Sequence, residues 1–506
     1  MKFHLTSLFI VSCIFTLTSV SFLAHEDSLL MIHDAWRAHL SLPFIDYSMP
    51  WGGVSSILGA STLSLFGGEL KGLWYASYSL VFNLFSTYLV YVLLLKHTFN
   101  SRVAYFSSLF FTLSYTLFFG GFYVDYLSIT IGLLAIYLIG FKNKHLFLIA
   151  AFLLALGFYV KQTTGAIVLI SSVIYVFTLY QFKLKSSMGL LLISFLFILG
   201  IFFVFYFSEG YVNFRNNFYE LPLQYSSVEN NKSISNLLLS FIYPLNLNLI
   251  SDKGILYGSI IFIPALLAIY FGYLIIVKEI TGNDKNYRKA SLLIFMLLIT
   301  VATSASTGRD LPHRLFFSFT MIPIISSYLK IGVIRIFIPL VSITPLILYF
   351  VYRVSSFNSQ FDSYVSYPIV YNNVIKQKLS YDDFETAVNI IKSLEKDKKI
   401  YLMDDRLLTV SAAVENPIIG NKLYYDINLT IPKSVEGQKG FYANEFKLIK
   451  QSMPEAVIIP LDTCNRFMRS NKCLDQTIYE DFKLMISSMY RISHYGQRIL
   501  IYLLKK

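Results

Sequence analysis

Residues 188–207 read MGLLLISFLFILGIFFVFYF, a run without a charged side chain. An α-helix needs about 20 apolar residues to cross roughly 30 Å of hydrocarbon, so this run has the length and composition of a membrane span. The rest of the chain is similar, since 55% of its 506 residues are hydrophobic and only 14% are charged. A soluble domain of this length needs far more surface charge, so the composition predicts an integral membrane protein.

Other apolar runs raise the predicted number of spans to about eleven, several of them shorter than the ideal length. They lie near residues 5–23, 73–95, 103–119, 125–140, 146–160, 164–180, 188–207, 256–277, 290–306, 315–329 and 333–352. The first run can also be read as a cleaved signal peptide. We favour an uncleaved anchor, because Phe22 stands where cleavage requires a small residue.

The loops between these spans differ in charge. With the N-terminus inside, the inner loops carry many Lys and Arg residues and almost no acids. The first outer loop, residues 24–72, has only Arg37 and Lys71 against five acids. The positive-inside rule then predicts a multi-pass protein of the cytoplasmic (inner) membrane with a cytoplasmic N-terminus. The net charge of +12 is scattered over short loops, which argues against binding of nucleic acid.

From about residue 353 the charge rises and the apolar runs shorten. Residues 384–405 and 445–462 each show a helical pattern followed by a short strand, and residues 491–504 show two strands around a glycine-containing turn. This predicts a soluble α/β domain over residues 353–506, after a transmembrane domain over residues 1–352. Cys464 and Cys473 enclose a loop short enough to be bridged, and the predicted extracytoplasmic location would preserve a disulfide.

The first outer loop contains two apolar segments that are too short to span. One places Trp36 and Leu40 on a helical stripe, with His33, Asp34 and Arg37 elsewhere, and so predicts a helix lying flat at the membrane surface. A second interfacial helix is predicted after residue 53.

Ionisable residues gather at the predicted outer ends of the spans, where they usually face a cavity, a partner or a ligand. The ionisable residues concerned are Glu26, Asp27, Asp46, Asp125, Lys161, Arg309, His313 and Arg314, and the polar Gln162 follows Lys161. Acids beside cations just above the lipid suit a phosphate-headed lipid donor: the cations hold the phosphate, and an acid orients or deprotonates an acceptor hydroxyl. The simpler alternative is helix capping, ion pairing at the surface and marking of the water boundary. No Cys or His spacing predicts a metal site.

Three stretches in this order resemble the GT-C superfamily of polytopic glycosyltransferases, which includes protein O-mannosyltransferases, the aminoarabinose transferase of lipid A and bacterial lipopolysaccharide glycosyltransferases. They are "HED" at residues 25–27 with "LSLPFIDY" and "SMPWGG" at residues 40–53, then Asp125 with "KQTTG" at residues 161–165, and "GRDLPHR" at residues 308–314. The match covers residues 1 to about 350. It departs from the family in the acidic pair, which reads Glu-Asp where Asp-Glu is usual.

The resemblance implies a mainly α fold: a polytopic transmembrane helical bundle of the GT-C type with a C-terminal extracytoplasmic α/β domain. It also implies inverting transfer of a sugar from a polyprenyl-phosphate-linked donor to a lipid or glycan acceptor at the outer membrane face. Glu26 matches the catalytic acid by position. Asp27 is predicted to cap a helix beginning at Ser28, with catalytic help as its second role. Lys161, Arg309 and Arg314 would stabilise the leaving phosphate.

Three other functions stay open from the sequence. A flippase or transporter of a lipid-linked sugar favours polar or broken helices near the bilayer midplane, whereas these runs are apolar at their centres. An O-antigen ligase or polymerase would act on similar lipids, and a non-catalytic envelope protein is a third reading. The sequence leaves open the sugar, the acceptor and the use of a divalent cation.

Overall fold

The apolar runs of the sequence form α-helices in the computed structural model, and the molecule is mainly helical with a small C-terminal sheet. A helix lies at each predicted span up to residue 329, whereas most of the predicted span over residues 333–352 falls outside the described residues. The structure describes residues 2–23, 26–40, 53–66, 71–119, 124–215, 255–307, 316–329, 381–403, 407–419, 435–461 and 475–505, with isolated positions between 338 and 347.

The helices are listed here in chain order. Those up to residue 215 are α1 (Lys2–Leu23), α2 (Glu26–Leu40), α3 (Val54–Leu63), α4 (Lys71–Lys96), α5 (Ser101–Phe119), α6 (Val124–Ile139), α7 (Lys144–Val160), α8 (Gln162–Leu179), α9 (Leu184–Tyr206) and α10 (Tyr211–Arg215). The later ones are α11 (Ile255–Thr281), α12 (Tyr287–Thr307), α13 (Phe316–Ser327), α14 (Tyr381–Lys392), α15 (Leu408–Ala413), α16 (Val435–Ser452) and α17 (Gln476–Met489).

Three helical segments in the described part of the chain are long and apolar enough to cross a membrane. They are Leu73–Lys96, Gln162–Leu179 and Leu184–Tyr206. Others, including Asp125–Ile139 and Lys144–Val160, are apolar but shorter. This is compatible with a membrane protein, and the predicted total of about eleven spans stays a prediction.

The chain forms two compact units, and neither is continuous in sequence. The first contains Met1–Ala24, Ala76–Phe207 and Ser226–Ser363. The second contains His25–Tyr75, Ser208–Tyr225 and Tyr364–Lys506, and so joins the first predicted loop to the C-terminal region. The domain boundary predicted at residue 352 stays a prediction.

The first unit is a bundle of helices around an apolar core. In it α6 packs against α7, α8 against α12, and α5 against both α1 and α13. A polar network also joins three helices: the Asn83 amide nitrogen donates to the hydroxyls of Thr16, at 2.6 Å, and Thr112, at 2.8 Å. Ser12 shares a further hydrogen bond with Thr112. Polar side chains buried between apolar helices need such partners, so this network helps to specify which helices pair.

In the second unit, α2 packs on α3 and on α15. Gly59 makes the first contact close, because a Cβ at this position would lie 2.8 Å from the Ala35 Cβ and 3.3 Å from the Trp74 ring. The Trp74 indole donates to the Thr62 hydroxyl at 2.9 Å, which joins the start of α4 to α3.

All seven residues from Met31 to Arg37 are buried. The helix α2 is therefore covered on every face over two turns. This differs from the predicted surface-lying helix, whose polar side chains would have stayed in water. The reason is that protein surrounds α2, which the amphipathic pattern of a single segment does not reveal.

The C-terminal part of the second unit contains a five-stranded sheet in the order β2-β1-β3-β5-β4. The strands are β1 (Ile400–Leu402), β2 (Ile418–Ile419), β3 (Ala456–Pro460), β4 (Tyr490–Tyr495) and β5 (Ile499–Leu504). The β1 strand is parallel to β2 and β3, whereas β5 is antiparallel to β3 and β4. The helix-then-strand pairs and the final hairpin predicted from the sequence are confirmed. Cys464 and Cys473 lie outside the described residues.

Candidate functional site

Two of the predicted site residues lie in direct contact in the first unit. The Lys161 Nζ lies 2.6 Å from Asp125 Oδ2, and the Thr164 hydroxyl donates to the other carboxylate oxygen. Only 15% of the Lys161 side chain and 10% of the Asp125 side chain are exposed. Little of the surface of this pair is in contact with solvent, so the attraction between the two charges is less screened than in a surface ion pair.

The backbone between α7 and α8 positions this pair. Lys161 is the single residue between the two helices and has an extended conformation, with φ −153° and ψ 119°. The next helix begins at once, and the Gly165 amide donates to the Lys161 carbonyl at 2.7 Å. A Cβ at Gly165 would lie only 2.3 Å from the Gly157 carbonyl oxygen, so this close approach requires glycine.

Asp125 reaches this junction from the first turn of α6, where a carboxylate also interacts favourably with the positive end of the helix dipole. The neighbouring Ser128 hydroxyl donates to the Gly157 carbonyl at 3.2 Å, which adds a second link between α6 and α7. Gln162, also predicted as a site residue, is the half-buried first residue of α8. The structure thus brings Asp125 and Lys161, both predicted as site residues, together where α6, α7 and α8 meet.

The acidic pair differs in one respect from the prediction. The helix α2 begins at Glu26, so Asp27 lies within its first turn and is not the residue preceding a helix that starts at Ser28. Acids in a first turn are favourable because of the helix dipole. The side chains of both acids lie outside the described part of the structure, as do Asp46, Arg309, His313 and Arg314 entirely.

A second polar cluster, not predicted as a site, lies in the second unit. We call Lys71, His33 and Ser411 the Lys71 cluster. The Lys71 ammonium donates to the Ser411 carbonyl, at 3.3 Å, and to the Val414 carbonyl. It also lies 4.4 Å from the centre of the Trp36 ring, within the range of a cation–π contact.

Burial changes the acid–base properties of this cluster. Lys71 is only 1% exposed, and the loss of water around its ammonium lowers its pKa to about 7, an effect that the nearby Glu415 carboxylate opposes. His33 is fully buried and its Nδ1 shares a hydrogen bond with the Ser411 hydroxyl. Burial, with smaller contributions from Arg37 and Lys71, holds the pKa of His33 well below its usual value.

Charges of both signs surround the Lys71 cluster. Asp34 is fully buried and Arg37 is 6% exposed on the same helix, while Glu415 follows α15. Arg37 acts on His33 and the Glu415 carboxylate acts on Lys71, and this mixture of signs favours a role in joining elements of the fold over binding of an anion. Sequence reasoning noted His33, Asp34 and Arg37 in the first loop. No local pattern in the sequence indicated a contact between Lys71 and Ser411, which are 340 positions apart.

Within the described ranges, no group of three or more His, Cys, Asp or Glu side chains could hold a metal ion. Searches for relatives add no identification, since no family model matches the chain and no curated protein matches it either.

Proposed function

We propose that the protein is a membrane glycosyltransferase of the GT-C type, which transfers a sugar from a polyprenyl-phosphate-linked donor to a lipid or glycan acceptor. The observation that most supports this is the contact between Asp125 and Lys161. The sequence had indicated both residues separately, and they form a largely buried pair at the ends of apolar helices. A charged group at such a position needs a partner. An ammonium has three N–H donors, so Lys161 can bond a phosphate oxygen while it still bonds the Asp125 carboxylate.

In this proposal Glu26 removes the proton from the acceptor hydroxyl. The hydroxyl oxygen then forms a bond to the anomeric carbon while the bond from that carbon to the donor phosphate oxygen breaks. The configuration at the anomeric carbon inverts, polyprenyl phosphate leaves with the bonding electrons, and the proton stays on Glu26. Asp27, beside it in the first turn of α2, assists or replaces Glu26.

Cations stabilise the negative charge that grows on the departing phosphate. The proposal assigns this role to Lys161, Arg309 and Arg314. Asp46, Gln162 and His313 bind the polar parts of the donor or the acceptor, and Asp125 orients Lys161. The divalent cation left open by the sequence is not required by this assignment.

The proposed location is the inner membrane, with the N-terminus in the cytoplasm, about eleven spans and the C-terminal domain outside. Three apolar helices of sufficient length support a membrane location in general terms. Envelope glycan or lipopolysaccharide synthesis would then supply the acceptor.

The test is a transfer assay with the purified full-length protein in lipid nanodiscs and a panel of polyprenyl-phosphate sugars. We expect release of polyprenyl phosphate together with a glycosylated acceptor. Glu26→Gln should lower kcat about 10²- to 10⁴-fold, the range for loss of a general base. Asp27→Asn, assayed separately, identifies which acid carries the chemistry.

Full activity of both variants at normal expression would remove the catalytic assignment. Movement of the intact lipid-linked sugar across the membrane of a proteoliposome, without release of polyprenyl phosphate, would replace the transferase proposal by a transporter.

A further inference from the structure

We infer that Lys71 and His33 are positioning residues, through which the segment Ser411–Val414 of the C-terminal region holds the helix that carries Glu26 and Asp27. The catalytic part of this inference rests on the proposed function, whereas the contact itself does not. The C-terminal region would then be part of the catalytic unit and not an independent appendage.

The Lys71 contact supplies the first argument. Its ammonium bonds two carbonyls at the end of α15, Ser411 O and Val414 O. The last carbonyls of a helix lack partners within the helix and carry partial negative charge, so a cation there is favourable. Lys71 is 1% exposed, so water cannot readily replace either the ammonium or the carbonyls as a hydrogen-bond partner.

The second argument comes from His33. It lies in the middle of α2, is fully buried, and bonds the side chain of the same Ser411 whose carbonyl accepts from Lys71. A single residue of α15 therefore links α2 to the start of α4. On its other side α2 is held by α3, through the close approach at Gly59.

The position of His33 along α2 gives the link a catalytic consequence. His33 follows Glu26 by seven residues in one helix. In a regular helix, positions seven apart lie on the same face, about 10 Å apart along the axis. A helix is stiff over this distance, so a shift of His33 also shifts Glu26. Misplacement of a reacting group by about 1 Å can lower the rate roughly 10²-fold.

The experiment compares Lys71→Met with Lys450→Met in the full-length protein in nanodiscs. Lys450 is exposed near the end of α16, so its variant controls for the loss of one lysine. Amide hydrogen exchange is measured in residues 408–414 and in residues 30–34, whose backbone amides donate to the carbonyls of residues 26–30 at the start of α2. We expect Lys71→Met to speed exchange in both segments by at least about tenfold, with no change in Lys450→Met.

His33 is tested by the pair His33→Leu and His33→Asn. The Asn amide can replace the ring Nδ1 as partner of Ser411, whereas Leu keeps bulk and loses the bond. We expect fast exchange in His33→Leu and exchange near that of the wild type in His33→Asn. Exchange that is unchanged in both Lys71→Met and His33→Leu would overturn the link, and exchange that rises only in residues 408–414 would overturn the positioning of α2.

Kinetics then test the catalytic consequence. We expect Lys71→Met and His33→Leu to lower kcat at least about tenfold with the donor KM changed less than about threefold, and His33→Asn to recover most of the loss. Faster exchange with an unchanged kcat would refute the catalytic role. Absence of transfer by the wild type with every donor would count against the proposed function, while the exchange experiment would still decide whether α2 is held.

Discussion

Both units bury a lysine, but they give its ammonium different partners. In the first unit, Lys161 lies 2.6 Å from the carboxylate of Asp125 and keeps 15% of its side chain exposed. In the second, Lys71 is 1% exposed and bonds the carbonyls of Ser411 and Val414. Carbonyl dipoles compensate a buried charge less fully than an opposite charge does, and burial accordingly lowers the pKa of Lys71 to about 7.

The comparison indicates how each region should respond to change. The Asp125–Lys161 junction depends on close backbone packing and on a matched pair of charges, so loss of one charge should harm it more than loss of both. The Lys71 cluster depends on donors and acceptors at fixed positions, and burial lowers the pKa of its lysine to about 7.

The largest effect is expected from Gly165→Ala at the junction. The added Cβ would lie 2.3 Å from the Gly157 carbonyl oxygen and 2.4 Å from the Phe158 Cα. These are backbone atoms, so α7 and α8 must move apart, at a cost above about 3 kcal/mol, the upper end of overpacking penalties. The yield and thermal stability of the purified protein measure this.

Gly189→Ala is the matched control, because a Cβ at Gly189 would meet nothing within 4 Å. It should be neutral or slightly stabilising, since alanine favours a helix over glycine. Equal stability of the two alanine variants would contradict the close packing of α7 and α8.

A smaller effect is expected from separating the charges at the junction. Lys161→Met leaves Asp125 largely buried without its cation, which we expect to cost about 2 kcal/mol after allowance for partial exposure. The double variant Asp125→Asn with Lys161→Met should regain much of this loss, because no uncompensated charge remains. Unfolding of the single and double variants, followed by far-ultraviolet circular dichroism, measures the coupling.

Strictly additive effects in this cycle would show that the two side chains do not interact. If the double variant is stable but inactive in sugar transfer, the pair serves the reaction; if stable and fully active, it serves only to join the helices.

The effect that is smallest for a change of one pH unit concerns the second unit. The pKa of Lys71 is about 7 when folded and about 10.5 when unfolded, so between these values the unfolded chain binds more protons. Lys71 therefore makes stability rise with pH across this window, by up to about 1.4 kcal/mol per pH unit, and contributes no slope below about pH 7. Lys71→Met should remove that part of the slope.

Tryptophan fluorescence can follow this unfolding selectively, because all three tryptophans, Trp36, Trp51 and Trp74, belong to the second unit. Lys450→Met is again the control, and its slope should match that of the wild type. An identical slope in the Lys71 variant would mean that Lys71 does not titrate in this range.

Much of the secondary structure could be predicted from the sequence. The apolar runs marked helices up to residue 329, and short apolar runs marked the strands that became β3 and β5. These signals are local, since a span needs a certain length of apolar chain and a buried strand needs a short apolar run. The meeting of Asp125 with Lys161 was also within reach, because both residues stand where apolar helices begin or end.

The Lys71 cluster could not be predicted from the sequence, because these signals are local and the cluster joins residues that are far apart in the chain. The helix containing His33 and Trp36 has the amphipathic pattern of a surface helix, and nothing local to it indicates that protein will cover its polar side. The start of that helix at Glu26 was also misjudged, since one favourable capping residue is a weak guide to where a helix begins.

The sequence alone determined that the chain is rich in apolar helices and ends in a small α/β region, because hydrophobic length and periodicity are properties of neighbouring residues. Only the tertiary structure decided that residues 25–75 share a compact unit with residues 364–506. Within that unit, the buried Lys71 amine bonds carbonyls more than 300 residues away. Partners chosen to satisfy buried polar groups are a property of the whole folded chain, and no segment encodes them by itself.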